Sequence, residues 1–529
     1  MQHPILPARS ASFPDESLPT GSVVDGELLA GDVEDTFDYV VIGSGAAGAV
    51  AAHVLAKSGA SVAIVEEGPW VRTRQFGERV YDAFRRMFRD AGMQVIEGRA
   101  YIPLLQGRCV GGSTVINSAI AHRTPEDVLD EWQQFGLGTS ITARALEPHF
   151  DALERELHAR AVADEALGEN DRRFLDEASL HGLPARRTHR YEHGCRGSGR
   201  CFTGCPNAAK QGMNVTYVPW ALALGARIYC ACRVERVLVE HGRATGILAR
   251  TTAAPGSRPG RHVRLHARRA VLVAASAVQT PNLLRRSGLR SAALGDHFQC
   301  HPGYGVGGVF DGAAPEHFGA TQGAEITSLR RTERVKFETI ELQPELAAVR
   351  IPGIGREWME RFELYPHFAQ WAMVVRAEAE GTVRPAWGGG DKVRWSPARV
   401  DMERAVKGVA LLSRMMFEAG AREVWTGLHG VPNAIRSIDG VREIENMPPD
   451  PRLFSFISTH LFGGARMGVD ARSSVVGPDF ECHEAAGLYV VDSSVFPTNL
   501  GVNPQHSIMA MSRLAATRIV ESHHARSAA

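Results

Sequence analysis

The chain has 529 residues, 44% hydrophobic and 22% charged, with Lys+Arg and Asp+Glu balanced at 59 each. That length exceeds what one hydrophobic core usually supports and implies two domains. The charge balance excludes the whole-molecule attraction to polyanions expected of a nucleic-acid binder, and eight Cys in so long a chain do not form a secreted disulfide framework.

Residues 1–36 form a polar leader rich in Pro, Ser, Asp and Glu, without the apolar run of a signal peptide. No later stretch reaches the ~18 consecutive apolar residues of a membrane span. The expectation is a cytoplasmic protein with no transmembrane segment, with peripheral membrane contact through an apolar loop left open. Residues 37–42 are a short β-rich run ending in Gly43-Ser44-Gly45-Ala46-Ala47-Gly48, and residues 47–57 read as a helix of small side chains. A second apolar run, 61–65, ends at Glu66, which completes a βαβ unit and implies parallel α/β architecture. Residues 125–190 read as charged helices, with Trp132, Phe135, Leu146, Phe150, Leu153, Phe174 and Leu175 as buried positions. Two alternating runs from 227 to 248 flank His241-Gly242-Arg243 as a hairpin or meander, and 270–275 is a buried strand followed by a helix through Leu284. From 301 to 454 aromatic residues, Pro and Glu increase and the doubly wound pattern stops.

GxGxxG alone is a weak signal, but here it has the context it needs. Gly43 permits the tight turn, Gly45 lets main chain approach a pyrophosphate, and Gly48 lets helix and strand pack closely. Glu66, 18 positions past Gly48 at the end of the second strand, suits the adenosine ribose hydroxyls. The phosphates would meet the helix N-terminus. The fingerprint does not choose between FAD and NAD.

Further motifs make that choice. Gly107-Arg108-Cys109-Val110-Gly111-Gly112-Ser113-Thr114-Val115-Ile116-Asn117 resembles the first signature of the glucose-methanol-choline (GMC) family of FAD-dependent oxidoreductases. The segment from Ser276 to Leu289 is similar to the second signature, although Ser276 and Arg290 stand where the family usually has Gly. The stretch from Leu488 to Pro497, running into Gly501-Val502-Asn503-Pro504, is similar to the closing segment. With the glycine turn and the His460 segment, five motifs occur in family order.

The resemblance implies a Rossmann-like FAD-binding domain, discontinuous in sequence, beside a substrate domain with a mostly antiparallel sheet. The implied division is leader 1–36, FAD-binding parts 37–150 and 205–300, a helical insertion of the substrate domain 151–204, substrate domain 301–454, and a final FAD-binding part 455–525 with the catalytic segment. Gly111 and Gly112 would let main chain lie against the flavin and pyrophosphate. Asn117 would meet a flavin edge or substrate oxygen, and Asp492 would either meet the ribityl hydroxyls or cap a helix. Some relatives attach FAD through a His just before the signature Asn; Ile116 occupies that place, so non-covalent FAD is expected.

His460 stands in His-x-x-Gly-Gly-x-x-Met-Gly, and in relatives the matching His is the base that takes the alcohol proton. Asn503, 43 residues later, would hold the substrate hydroxyl, with His506 as a weaker candidate. The implied reaction is oxidation of CH–OH to a carbonyl, with oxygen or another electron acceptor. The motif forms favour the sterol and long-chain alcohol branch, hence a bulky or hydrophobic alcohol. Trp358, Phe362, Tyr365, Phe368, Trp371 and Trp387 are candidates either for its pocket or for core. Glu338, Glu341 and Glu345 keep a sugar or aminoglycoside-type alcohol in view, and a charged helix face explains them equally well. A redox-silent FAD lyase of the hydroxynitrile lyase type is the rival from another class. Cys195, Cys201 and Cys205, close to His193, admit a loop with one disulfide, inert thiols or a metal site. No metal is assigned.

Overall fold

The computed structural model describes residues 12–77, 79–180, 182–252, 260–312 and 318–528; residues 1–11 of the leader lie outside it. Strand Val33–Ile42 alternates in exposure over its first residues and is buried from Tyr39 onward. Strand His262–Val273 does the same, alternating and then fully buried from Ala270. The change marks where the sheet becomes covered on both faces, and it explains why the two strands read as alternating at one end and apolar at the other.

These two strands pair in parallel, with Val40 opposite Val271 and Ile42 opposite Val273. Val62–Val65, Arg227–Cys230 and Val23–Asp25 extend the sheet in parallel on one side. On the other side His262–Val273 is shared along its length. Its first half carries Arg243–Thr251 antiparallel, which in turn pairs with Cys232–Glu240. Its last residues carry Leu488–Val490 in parallel. A strand from the carboxy-terminal segment is thus inserted next but one to the strand that opens the glycine turn.

Helix Ala46–Lys57 follows that turn and packs on Gln505–Ala528, where the Ser512 hydroxyl donates to Ala47 O at 2.7 Å. Small side chains on the first helix permit this approach. A Cβ added at Gly48 would stand 2.0 Å from Gly43 O, inside any tolerable contact. The buried core of this half joins the sheet to Trp132, Leu146, Phe150 and Leu153 of the helices that follow residue 125.

The second sheet has six strands in the order Glu423–Trp425, Gly303–Val309, Phe368–Val375, Val335–Ile340, Ala324–Ile326 and Ala185–Arg187. Every pairing in it is antiparallel. Helix Arg399–Glu418 packs on it, burying Met402, Ala405, Val409, Leu412 and Met416 in that half's own core. The fold is therefore a doubly wound dinucleotide-binding half and an antiparallel half. Among the described residues no helix is long and apolar enough to cross a membrane.

Candidate active site

A cavity of about 840 Å³ lies between the carboxyl ends of the parallel strands and the antiparallel sheet. Its walls include Gly43, Gly45, Glu66, Gly112, Asn117, Asp492, His460 and Asn503. Eight residues singled out from sequence, drawn from segments more than 400 positions apart, line one space. Gly48 and Gly111 stand behind it.

At one end the turn geometry is dictated by close main-chain contacts. Gly43 has φ +97°, and a Cβ there would come 2.3 Å from Ala274 O. Gly111 (φ +94°) and Gly112 (φ +54°) lie in the left-handed region, and a Cβ on Gly112 would sit 3.0 Å from Gly45 Cα. The two glycine turns are tied together by Ser44, whose hydroxyl accepts from Gly111 N at 3.0 Å and donates to Glu66 at 2.7 Å. Glu66 also accepts from Ser44 N at 3.0 Å and from Gly68 N at 2.8 Å. Three of the roughly four acceptor positions of its carboxylate are thereby used, leaving one for a ligand hydroxyl. Burial raises its pKa, opposed by these hydrogen bonds.

Helix Ala46–Lys57 begins at Gly45 with no side-chain cap. Its first amides are free to meet an anion, as a pyrophosphate requires. With main chain bared by glycine, an uncapped helix start and a spare acceptor on Glu66, the residues present fit FAD.

Asp492 takes the helix-cap position at the cavity wall. Its carboxylate accepts from Ser276 N at 3.0 Å, the Thr280 hydroxyl at 2.6 Å and Ser494 N at 2.8 Å, so it caps helix Ser276–Arg286 while lining the cavity. Ser276 has φ +87°, which accounts for the family's preference for Gly there. Asn117 donates to Gln505 Oε1 and accepts from Ala119 N at 3.0 Å, keeping one amide hydrogen and one lone pair in reserve.

At the other end His460 precedes the short strand Leu461–Phe462, which pairs with Gln299–Cys300. That pairing brings His301 beside it: the two Nδ1 atoms are 3.1 Å apart, and His301 Nε2 lies 3.0 Å from Asn499 Oδ1. Asn503 Nδ2 is 3.4 Å from His460 Nε2. Burial pulls the His460 pKa down to about 4, Glu338 opposing and Lys336 and His122 assisting. The ring is therefore neutral at pH 7, as a base must be.

Sequence reading missed the group that supports this pair. Lys336, fully buried, donates to Asn503 Oδ1 and Glu338, each at 2.7 Å, and reaches Glu325 at 3.0 Å. Glu325 in turn meets His122 Nε2 at 2.7 Å. Lys336 and Glu338 lie on the strand Val335–Ile340, buried along nearly its whole length, so an alternating pattern could not reveal which face is polar. The one available signal was rarity, since Lys336 is one of five Lys in the chain.

Several expectations are corrected. Glu338 is on a strand and not on a charged helix face, and its carboxylate is already engaged by Lys336. None of the six proposed aromatics lines the cavity. Phe368 and Trp371 are core, Trp358 stacks on Phe362, and Trp387 is fully exposed. The aromatic walls are Phe84, Phe88, Tyr101, Phe202, Tyr304 and Phe456. His506 is turned away, bonded to Tyr191 and, at 3.1 Å, to Glu154. Cys195, Cys201 and Cys205 are free thiols with no disulfide among them. Arg190 donates to Cys201 Sγ at 3.0 Å, and Lys210 donates to the carbonyls of Val115, Asn117 and Cys201. The cysteine segment thereby braces the main chain on both sides of Ile116.

Residues 37–303 and 387–512 match the amino- and carboxy-terminal parts of the GMC oxidoreductase family. The chain is 34% identical to an uncharacterized GMC-type oxidoreductase of Mycobacterium tuberculosis, over 91% of this chain and 76% of that one. It is 28% identical to a long-chain-alcohol oxidase of Arabidopsis thaliana, over 92% of this chain and 66% of that one. Among solved structures, a formate oxidase of Aspergillus oryzae, studied for the modification of its FAD, superimposes with a TM-score of 0.70. At 15% identity over 94% of this chain and all of the other, that likeness concerns the fold alone.

Proposed function

Because the chain belongs to the GMC oxidoreductase family, we propose that it is an FAD-dependent enzyme that oxidises the CH–OH group of a bulky or hydrophobic alcohol to a carbonyl. The observation that carries this reading is the meeting of His460 and Asn503 at the wall of a cavity whose far end fits a dinucleotide. Gly43, Gly45, Gly112, Glu66, Asn117 and Asp492 would hold FAD, without a covalent link at the Ile116 position. Bound there, FAD supplies the hydride acceptor.

The rest of the chemistry belongs to side chains. His460 Nε2, neutral and at the cavity wall, takes the hydroxyl proton. Asn503 has its carbonyl occupied by Lys336, so it can offer only Nδ2–H. That donor steadies the substrate oxygen as negative charge grows on it. Leu105, Ile116, Phe202, Ile340, Leu342 and Ile457 line the space, which suits an apolar substrate. The likeness to a long-chain-alcohol oxidase supports the same class. Glu338 is no free anion for an aminoglycoside ammonium, because Lys336 neutralises it.

The test is anaerobic flavin absorbance of the purified protein during titration with aliphatic, sterol, aromatic and sugar alcohols. Bleaching by an apolar alcohol is expected; recovery in air would identify oxygen as acceptor. Bound flavin that no alcohol bleaches would overturn the reading in favour of a redox-silent lyase.

A further inference from the structure

The two imidazoles of the site face each other through like atoms, His301 Nδ1 and His460 Nδ1, at 3.1 Å. Burial lowers the pKa of His460 to about 4 and that of His301 well below the ordinary imidazole value, so both rings are neutral. Two neutral rings in this contact must share one hydrogen. With none, lone pair meets lone pair; with two, hydrogen meets hydrogen. Only two arrangements remain, and they have opposite consequences: in one His460 Nε2 is bare, in the other it carries the proton.

Neighbours of fixed polarity decide between them. Lys336 can only donate, and its ammonium lies 2.7 Å from Asn503 Oδ1, so Asn503 Nδ2 is the atom turned to His460 Nε2 at 3.4 Å. At the far side Asn499 Nδ2 lies 2.7 Å from Gln299 Oε1 and 2.7 Å from Ala377 O, both acceptors. Asn499 Oδ1 is therefore the atom facing His301 Nε2, at 3.0 Å.

With the shared hydrogen on His460, every donor in the row finds an acceptor. Lys336 gives to Asn503, Asn503 to His460 Nε2, His460 Nδ1 to His301 Nδ1, and His301 Nε2 to Asn499 Oδ1. One contact stands against it: the Gly501 N–H points at His301 Nε2 at 3.0 Å, so this arrangement sets N–H against N–H there. The opposite arrangement satisfies Gly501 but sets N–H against N–H at Asn503 and lone pair against lone pair at Asn499. The first arrangement is favoured because it mismatches one contact, at Gly501, where the second mismatches two, and a buried polar row is most stable with the fewest unmatched members.

We infer that Lys336, His301 and Asn499 are positioning residues that lock His460 in its Nδ1–H tautomer, with Nε2 unprotonated and facing Asn503 at the cavity wall. Its importance for turnover rests on the proposed role of His460; the tautomer itself does not. Lys336 heads the row as a charge that cannot reverse its direction, held between Glu325 and Glu338. Hydrogen bonding to one ring nitrogen sets the state of the other.

The test is ¹⁵N NMR of the holoprotein labelled at histidine, with the His460 signals identified by their loss in His460→Gln. Wild-type protein is expected to show a protonated Nδ1 and a bare Nε2. His301→Asn places an amide oxygen near the position of Nδ1 and should preserve that pattern. His301→Leu leaves Nδ1–H without an acceptor while Asn503 still faces Nε2, so it should raise the Nε2–H fraction without completing the change; Lys336→Met, which frees Asn503 to turn, should do likewise. If Lys336→Met does not fold, the two His301 variants decide. A wild-type Nε2–H tautomer, or a pattern unmoved by His301→Leu, would overturn the inference. The nitrogen signals report the tautomer whether or not His460 is the base, so the fate of the functional reading is measured separately by flavin reduction.

Discussion

Burial holds His460 in the neutral form that its proposed role as a base requires. In water an imidazole is partly protonated near neutrality; here removal from solvent outweighs the pull of Glu338, and the ring stays neutral down to a pH of about 4. His460→Ala should lower the rate of flavin reduction by alcohol by about 10²–10⁴-fold, the range for loss of a positioned general base. Stopped-flow absorbance checks it, and a near-wild-type rate would remove His460 from the mechanism. His460 and Asn503 were legible in the sequence because they sit inside short motifs. His301 and Lys336 were not, because their importance is a matter of distance across 159 and 167 positions of chain. Glu338 misled for a related reason: its charge was as compatible with a solvated helix face as with a substrate site, and only the fold places it on a paired strand buried along nearly its whole length.

At the scale of elements, the glycine turn and its helix form one rigid unit, and Gly48 is its tightest point. An added Cβ would meet the main-chain oxygen of Gly43 at 2.0 Å, and main chain cannot swing aside as a long side chain can. Gly48→Ala should therefore cost about 1–3 kcal/mol by overpacking. It should also weaken FAD retention, because the turn must open. Urea unfolding and flavin content after gel filtration measure the two effects, and a variant equal to wild type in both would show that the turn yields cheaply. The strand Leu488–Val490 does a different job: pairing with His262–Val273 carries Asp492 to the start of helix Ser276–Arg286. This explains why the carboxy-terminal motif and the second signature are both needed at one end of the cavity.

For the whole molecule, a long cavity between two halves makes cofactor binding and stability inseparable. A ligand that binds only the folded form stabilises it by about 2.7 kcal/mol at a hundred times its Kd. Removing FAD should lower the Tm, and adding it back should restore the value in a concentration-dependent way. A Tm indifferent to FAD would mean that the cradle does not hold it. The buried histidines predict a second global property. His53, His149 and His460 are each pulled down to about 4 by burial, while the unfolded chain binds protons with the ordinary value of about 6.5. Between those values the unfolded state holds more protons, so stability rises with pH and is lost as pH falls from about 6.5 toward 4. Asp171, raised to about 6 by burial, opposes this over part of the range, as do Asp15, Glu66 and Asp492, also raised by burial, while His122, His301 and His506, lowered by burial, act with the other histidines. Urea midpoints at pH 5 and 7 test it; the lower one is expected at pH 5.

Local chemistry lies on the surface of the sequence. A glycine turn, a run of small residues for a close-packed helix and an acidic residue closing the next strand each state a requirement of a few neighbouring atoms, so the dinucleotide half could be read from order and spacing, while His460 and Asn503 were singled out through the family resemblance that their segments carry. The polarity of the row through Lys336, Asn503, His460, His301 and Asn499 could not. It depends on which buried donor faces which acceptor after two sheets have packed around one cavity. A hydrogen bond between residues so far apart in the chain leaves no period or motif behind it, and only the folded chain decides which nitrogen of His460 is bare.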